Sequence, residues 1–363
     1  MRVYPIIKCT NIACNLKCEY CFYRYLDQIV KPDSIMSQEM LGRLTEQLLE
    51  INPQKCDFLW HGGEPLLAGI DFFKRAVELQ NQAREKNGVQ IRNSIQTNGV
   101  LLNREWARFF KKNGFSVGVS IDGPEHMQNR YRVKANKKGS FKATLRGIHT
   151  CQAEDISVGA IAVITSYNAQ FPEEVYRFFV NNGLKKFSLN PVFETDFDGR
   201  PCHYSVSDDA FAAFLEKVLD LWLADDDPEI EIRQFTQPLT GMVGGQITSC
   251  VFSGRCHIFL DIHPNGDVRP CHSFKGEAEV LGNVLTQDLL EIIRGDKYKK
   301  FSASTLKLPV DCLCCEWLSI CHGGCTDHRN VVVDGKLHEK YVYCGSRKRT
   351  FRILDQVVRL SSG

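Results

Sequence analysis

The sequence predicts an α/β protein: a parallel, barrel-like sheet built from six βα units, a helical connector, and a cysteine-rich C-terminal domain. Three observations carry this. From Val3 to about residue 195, short apolar runs alternate with amphipathic stretches of helical period, and the runs end on polar or glycine-rich residues. Residues 205–245 then pattern as helix, and from Cys250 the chain turns to short strands, turns and cysteines. The sixteen cysteines are clustered, three between Cys14 and Cys21 and nine between Cys250 and Cys344. The domain boundaries drawn from these shifts are 1–204, 205–249 and 250–363.

In chain order, residues 3–7 read as the first strand, with the cysteine loop directly after it. Ser37 is placed to N-cap a helix whose Met40, Leu44, Leu48 and Ile51 share one face. Residues 57–60 form the second strand, ending in His61-Gly62-Gly63-Glu64-Pro65, and a helix follows through Phe72, Phe73, Ala76 and Leu79. The third strand, 91–96, ends at Thr97-Asn98-Gly99, and Asn103 caps the next helix. The fourth, 115–121, ends at Asp122-Gly123-Pro124. A helix from about Ser140 leads to the fifth strand, 158–164. Pro172 suits the first position of a helix, because its missing N–H is unpaired there anyway. Residues 187–189 are the sixth strand, before Asn190-Pro191. Ser207 starts a helix with Phe211, Phe214, Leu215, Val218, Leu219 and Trp222 on its apolar face, and residues 347–360 read as a closing helix.

Composition narrows the function. A formal net charge of +2 lacks the basic bias of a nucleic-acid surface. The runs Lys297-Tyr298-Lys299-Lys300 and Arg347-Lys348-Arg349 read as solvated faces. No stretch has the apolar length of a membrane span or a signal-peptide core, so the expectation is a soluble, cytoplasmic protein without a membrane partner. In a reducing cytosol, clustered thiols point to metal rather than disulfides.

Cys14, Cys18 and Cys21 have the spacing C-x3-C-x2-C. An iron–sulfur cluster usually takes four cysteines, so a cluster held by three leaves one iron open to an outside ligand. The alternatives are a zinc knuckle that borrows Cys9, or unrelated buried thiols. Continued into Phe22-Tyr23, the motif resembles the signature of radical S-adenosylmethionine (SAM) enzymes. The resemblance implies a partial (β/α)6 radical SAM barrel in which the open iron binds the amino and carboxylate groups of SAM. Reductive cleavage then yields a 5′-deoxyadenosyl radical. Gly62, Gly63 and Glu64 match the family's contact to the SAM amino group, with two glycines where a backbone can approach a ligand closely. Ser120 matches a ribose contact, Arg132 an arginine near the SAM carboxylate, and Tyr20 a backbone contact to adenine. Leu189 is carried over from Leu189-Asn190-Pro191, where relatives usually have isoleucine before the proline.

The C-terminal cysteines, Cys250-x5-Cys256-x14-Cys271 and Cys312-x2-Cys315-x5-Cys321-x3-Cys325-x18-Cys344, resemble the SPASM extension of these enzymes, with Gly266 also in place. The resemblance implies two auxiliary clusters with interleaved ligands: Cys250, Cys256, Cys271 and Cys325 for the first, and Cys312, Cys315, Cys321 and Cys344 for the second. With the N-terminal site, that makes three [4Fe-4S] clusters plus SAM. Paired structural zinc sites are the alternative, because C-x2-C also suits zinc. Cys314 is an extra thiol between two implied ligands, while Cys9, Cys56 and Cys151 read as small buried apolar residues.

Trp60 to Pro65, Ser94 to Gly99 and Gly139-Ser140-Phe141 look most like the anaerobic sulfatase-maturing enzymes. That group oxidises serine or cysteine in a sulfatase to formylglycine, using as base an aspartate directly after the third cysteine of the first auxiliary site. Here that position is His272. The exchange shifts the main reading to a radical SAM oxidoreductase that cross-links or oxidises a ribosomally made peptide. Formylglycine formation is the alternative, and a non-catalytic iron–sulfur electron carrier is a remote one. Histidine can also accept a proton, so His272 is the candidate base, with packing beside a cluster as its other reading. The implied partners are a peptide or protein substrate and a low-potential electron donor, flavodoxin or ferredoxin.

Overall fold

The computed structural model describes residues 3–23, 35–196, 198–271, 280–333 and 335–361. Strands β1 (Tyr4–Lys8), β2 (Lys55–His61), β3 (Gln90–Thr97), β4 (Phe115–Ser120), β5 (Val158–Ile164) and β6 (Lys186–Pro191) lie within two residues of the six expected runs. Among the described residues six further strands follow: β7 (Glu231–Ile232), β8 (Phe259–Ile262), β9 (Asp267–Pro270), β10 (Gly282–Asn283), β11 (Val331–Val333) and β12 (Lys336–His338). The stretch read as a helical connector therefore contains β7. Two residues are too few to show a period of two. Among the described residues, no helix is long and apolar enough to cross a membrane.

The chain forms two compact units. One comprises Met1–Ser120, Arg132–Val158 and His257–Ser304. Its strands run in the order β10-β9-β8-β1-β2-β3-β4, parallel from β8 through β4 and antiparallel from β8 to β10. The cysteine-rich part of the sequence thus supplies β8 as a parallel neighbour of β1. Ser37 Oγ accepts from Met40 N at 3.1 Å and Asn103 Oδ1 from Trp106 N at 3.0 Å, as the cap reading requires. Ser140 precedes its helix without capping it, because its hydroxyl donates to Arg132 O at 2.7 Å. Trp60, Phe58, Phe73 and Phe110 fill the core, and Trp60 Nε1 donates to Asn93 Oδ1 at 2.9 Å, so the indole is buried without an orphan donor.

The other unit comprises Ile121–Tyr131, Gly159–Cys256 and Thr305–Gly363. Within it, β5, β6 and β7 are parallel and β11–β12 form a hairpin. Pro172 opens the helix Pro172–Asn181, and Ser207 Oγ caps Asp208–Asp225 by accepting from Ala210 N at 3.2 Å. The closing helix, Cys344–Ser361, starts earlier than expected because the Asp208 carboxylate accepts from Gly345 N and Ser346 N, both at 2.8 Å.

A buried charge network lies under the cysteine loop of the first unit. Lys8 Nζ is 2.6 Å from Asp261 Oδ2, with both side chains at most 3% exposed. His263 joins Asp261 Oδ2 through Nε2 at 3.2 Å and Asn11 Oδ1 through Nδ1 at 3.2 Å. Removing one partner of a buried pair strands the other charge. Asp261→Ala is therefore expected to cost about 3–5 kcal/mol in chemical denaturation, and Lys8→Met with Asp261→Leu to recover most of it. A loss well under 1 kcal/mol in the single variant would show that the pair does not hold this edge.

Candidate functional site

Strand β1 delivers the chain into the cysteine loop, and the end of β2 holds that loop by its backbone. Gly63 N donates to Asn11 O and Glu64 N to Ala13 O, both at 2.8 Å. A Cβ on Gly63 would stand 2.1 Å from Ala13 O, and one on Gly62 2.8 Å from Asn11 O, where φ is also +119°. The sequence reading assigned these glycines to close approach of a ligand. The close approach present in the structure is that of the protein's own cysteine loop. Asn11 completes the turn at φ 55°, with its N–H on Lys8 O.

Glu64 is fully buried. Its Oε1 accepts from Thr97 Oγ1 at 2.6 Å and Leu66 N at 3.1 Å, and its Oε2 from Asn98 N at 2.8 Å. Asn98 Nδ2 continues to Asn15 Oδ1 at 2.6 Å and Cys14 Sγ at 3.7 Å. One carboxylate thereby links the ends of β2 and β3 to the cysteine loop. Burial pushes the Glu64 carboxyl up to about 7, although all three donors favour its charged form. Thr97 and Asn98 were missed as site residues. Their position at a strand end was the available signal.

The Arg132 segment is also stitched to the loop, through a Leu16–Lys134 bridge and Lys17 N to Val133 O at 2.7 Å. The Arg132 guanidinium lies 5.4 Å from the Tyr20 ring centroid. Ser120 Oγ, at the end of β4, accepts from Gln96 Nε2 at 3.0 Å. Tyr20, Gly62, Gly63, Glu64, Ser120 and Arg132 thus share a unit with Cys14, Cys18 and Cys21. Leu189 belongs to the other unit, wholly buried in β6, with its N–H on Gln234 Oε1 at 2.8 Å. Tyr23 OH meets His61 Nδ1 at 3.3 Å, and Gly62 N donates to the same nitrogen at 2.7 Å. That nitrogen is an acceptor, so the imidazole proton sits on Nε2. Burial raises the Tyr23 phenol well above its ordinary value, and the charges of Asp261, Cys21, Cys271 and Cys14 act in the same direction. Cys271 therefore lies within the field of this site. His272 falls outside the described residues.

None of the sixteen cysteines forms a disulfide. Burial pushes Cys14 up to about 12, with the Glu64 charge adding to it. The Cys21 charge acts on Cys14 as well, and a metal ligated there would draw such thiols into their ionised form. In the other unit, burial raises Cys325 to about 12 and Cys256 to about 11, with Cys250 acting on both and Cys256 on Cys325. Burial likewise raises Cys312, on which Cys321 and Cys315 act, and Cys344, on which Cys321 and Cys312 act. Cys250, Cys256 and Cys325 thus act on one another's ionisation, as do Cys312, Cys315, Cys321 and Cys344, while Cys271 lies in the first unit. Cys314 is exposed, while Cys9, Cys56 and Cys151 are buried as expected. Arg347 departs from its reading as part of a solvated face: it is buried.

Two outcomes follow from the loop's attachment. Gly63→Ala is expected to cost about 1–3 kcal/mol through overpacking and to deplete iron selectively at the N-terminal site, read by iron content and thermal unfolding. The Glu64 carboxyl ionises near 4.5 when unfolded and near 7 when folded, so it destabilises the native state as pH rises through that window. Metal-free wild type should lose about 1.4 kcal/mol per pH unit there relative to Glu64→Gln, measured by urea denaturation.

Comparison with known proteins agrees with this geometry. Residues 10–179 match the radical SAM superfamily, and residues 250–316 match SPASM, an iron–sulfur cluster-binding domain. The chain is 32% identical over 354 residues to a cysteine-type anaerobic sulfatase-maturating enzyme of Clostridium perfringens, covering 95% of this chain and 94% of that protein. It is 32% identical over 347 residues to a serine-type anaerobic sulfatase-maturating enzyme of Bacteroides thetaiotaomicron, covering 90% and 83%. A solved structure described as native anSMEcpe with bound AdoMet and Cp18Cys peptide superposes with a TM-score of 0.88 at 29% identity, covering 99% of both chains. The fold is thus the α/β radical SAM fold with a C-terminal SPASM domain. The chain belongs to the family of radical SAM enzymes with SPASM domains that includes the anaerobic sulfatase-maturating enzymes.

Proposed function

We propose that this protein is an anaerobic sulfatase-maturating enzyme, oxidising a serine or cysteine side chain of a sulfatase to formylglycine. The observation that carries the reading is near-full-length similarity at 32% identity to enzymes of both the cysteine and serine types. Residue 272 had favoured a ribosomal-peptide maturase. The comparisons support the sulfatase reading better.

In this reading Cys14, Cys18 and Cys21 hold the first [4Fe-4S] cluster. Cys250, Cys256, Cys271 and Cys325 hold the first auxiliary cluster, and Cys312, Cys315, Cys321 and Cys344 the second. When bound, the first cluster and SAM supply abstraction of a hydrogen atom from an unactivated C–H bond, which oxidation at a side-chain Cβ requires. The chain's own residues bind and orient. A carboxylate offers about four acceptor sites. Glu64 fills three of them internally and is fully buried, so its part in this reading is to hold Thr97 and Asn98 against the cysteine loop where SAM would bind. Arg132 offers a fixed cation to the SAM carboxylate, Ser120 a hydroxyl to the ribose, and Tyr20 and Leu189 apolar and backbone contacts. His61 presents an Nε2–H donor at the end of β2. His272 is the proton acceptor of this reading, with neutral imidazole suited to a working pH near 7. A low-potential flavodoxin or ferredoxin is the proposed electron donor.

The test uses anaerobically reconstituted protein, SAM, reductant and sulfatase peptides bearing the target cysteine or serine. Expected are 5′-deoxyadenosine and a peptide aldehyde captured by a hydrazide. Replacing Cys14, Cys18 and Cys21 together by alanine should leave about two-thirds of the iron and abolish both products. SAM cleavage without aldehyde from either peptide would instead favour peptide cross-linking.

A further inference from the structure

Two arginines of the second unit are buried among the cysteines read as auxiliary ligands. Arg347 is 8% exposed and lies in the helix that begins at Cys344. Its Nη1 donates to Val251 O at 2.8 Å and to Cys321 Sγ at 3.4 Å. Its guanidinium lies 4.4 Å from the ring centroids of both Phe252 and Tyr341, which fix its plane. Arg329 is 6% exposed. It donates from Nη1 to Lys307 O at 2.9 Å, and from Nη2 to Thr305 O at 2.9 Å and Thr326 Oγ1 at 2.7 Å. Its Nε is buried and has no hydrogen-bond partner among the described residues.

Neither arginine has a carboxylate in ion-pair range among the described residues, although buried cations are ordinarily paired. An orphaned buried donor is costly unless an acceptor reaches it. Burial disfavours the Arg329 guanidinium, and the charges of Cys325, Cys256, Cys312 and Cys321 act against that. The intervening sequence is built to admit these groups. A Cβ on Gly323 would stand 2.4 Å from Leu308 Cδ2 and 3.2 Å from Arg329 Nη1, and one on Gly324 2.5 Å from the Tyr341 ring. A cube with four thiolates is a net anion, and reduction adds one more negative charge without breaking a bond. Nearby positive charge and N–H bonds to sulfur favour the reduced form and raise the potential.

We propose that Arg347 is the counter-charge that sets the reduction potential of the auxiliary cluster that Cys321 ligates, through its N–H on that sulfur. The inference rests on the cluster-ligand reading above. It makes Arg347 a positioning residue for electron acceptance rather than a group that touches substrate.

The test is an EPR-monitored redox titration of the full-length holoenzyme, poised with mediators. Arg347→Met should move one auxiliary potential negative and leave the other in place, and Arg347→Lys should fall between that variant and wild type. Unchanged potentials at full iron content would overturn the proposal. If Arg347→Met fails to load iron, wild type labelled with [15N]arginine decides. Nitrogen-15 hyperfine coupling to a reduced auxiliary cluster upholds the proposal, and its absence rejects it. A wild type without auxiliary clusters, or Cys321→Ala that keeps all its iron, would sink the ligand reading and the proposal together. That failure shows in the iron count rather than in the potentials.

Discussion

The N-terminal site depends on one backbone contact, the pairing of Gly63 and Glu64 with Asn11 and Ala13 in the cysteine loop. A loop with three cysteines has little regular structure of its own, and its unpaired peptide groups need partners. The end of β2 supplies two of them, and only a residue without Cβ fits at 2.1 Å from the Ala13 carbonyl. Glu64 then extends the hold sideways to Thr97 and Asn98, and Asn98 returns it to Asn15 and Cys14. Position, rather than any single strong bond, is what this arrangement provides to the three thiols.

Buried charge organises both units, by different means. In the first, Lys8 and Asp261 neutralise each other beneath the loop, and His263 passes the connection to Asn11. Because Asp261 and His263 come from β8 and its end, the segment leading to Cys271 supports the loop that carries Cys14. In the second unit, Arg329 and Arg347 are buried without a carboxylate partner among the described residues, beside thiols that burial makes reluctant to ionise. Cations and thiols of this kind would be mutually stabilising wherever a bound metal drew the thiols into their ionised form.

Much was readable in the sequence, and for local reasons. The first six strands, the caps at Ser37, Asn103 and Ser207, and Pro172 at its helix start are decided within a few residues, so period and cap chemistry exposed them. The cysteine spacings marked the radical SAM and SPASM family, because their order along the chain is itself a signature. Ser140 shows the limit. Its type and place suit a cap, yet the Arg132 carbonyl lies closer to hand.

By itself, the sequence determined the α/β order, the family, and the cysteines and strand ends where chemistry would lie. Tertiary structure decided what those residues do for one another, because each such contact joins segments far apart in the chain. The pairing of β1 with β8, Lys8 with Asp261 and Asn11 with His263 spans some 250 residues, and no local pattern encodes it. The same holds for Arg347. In the sequence it sits in a basic run that reads as solvated, and only the folded chain places Phe252, Tyr341 and Cys321 around it, taking its guanidinium out of water.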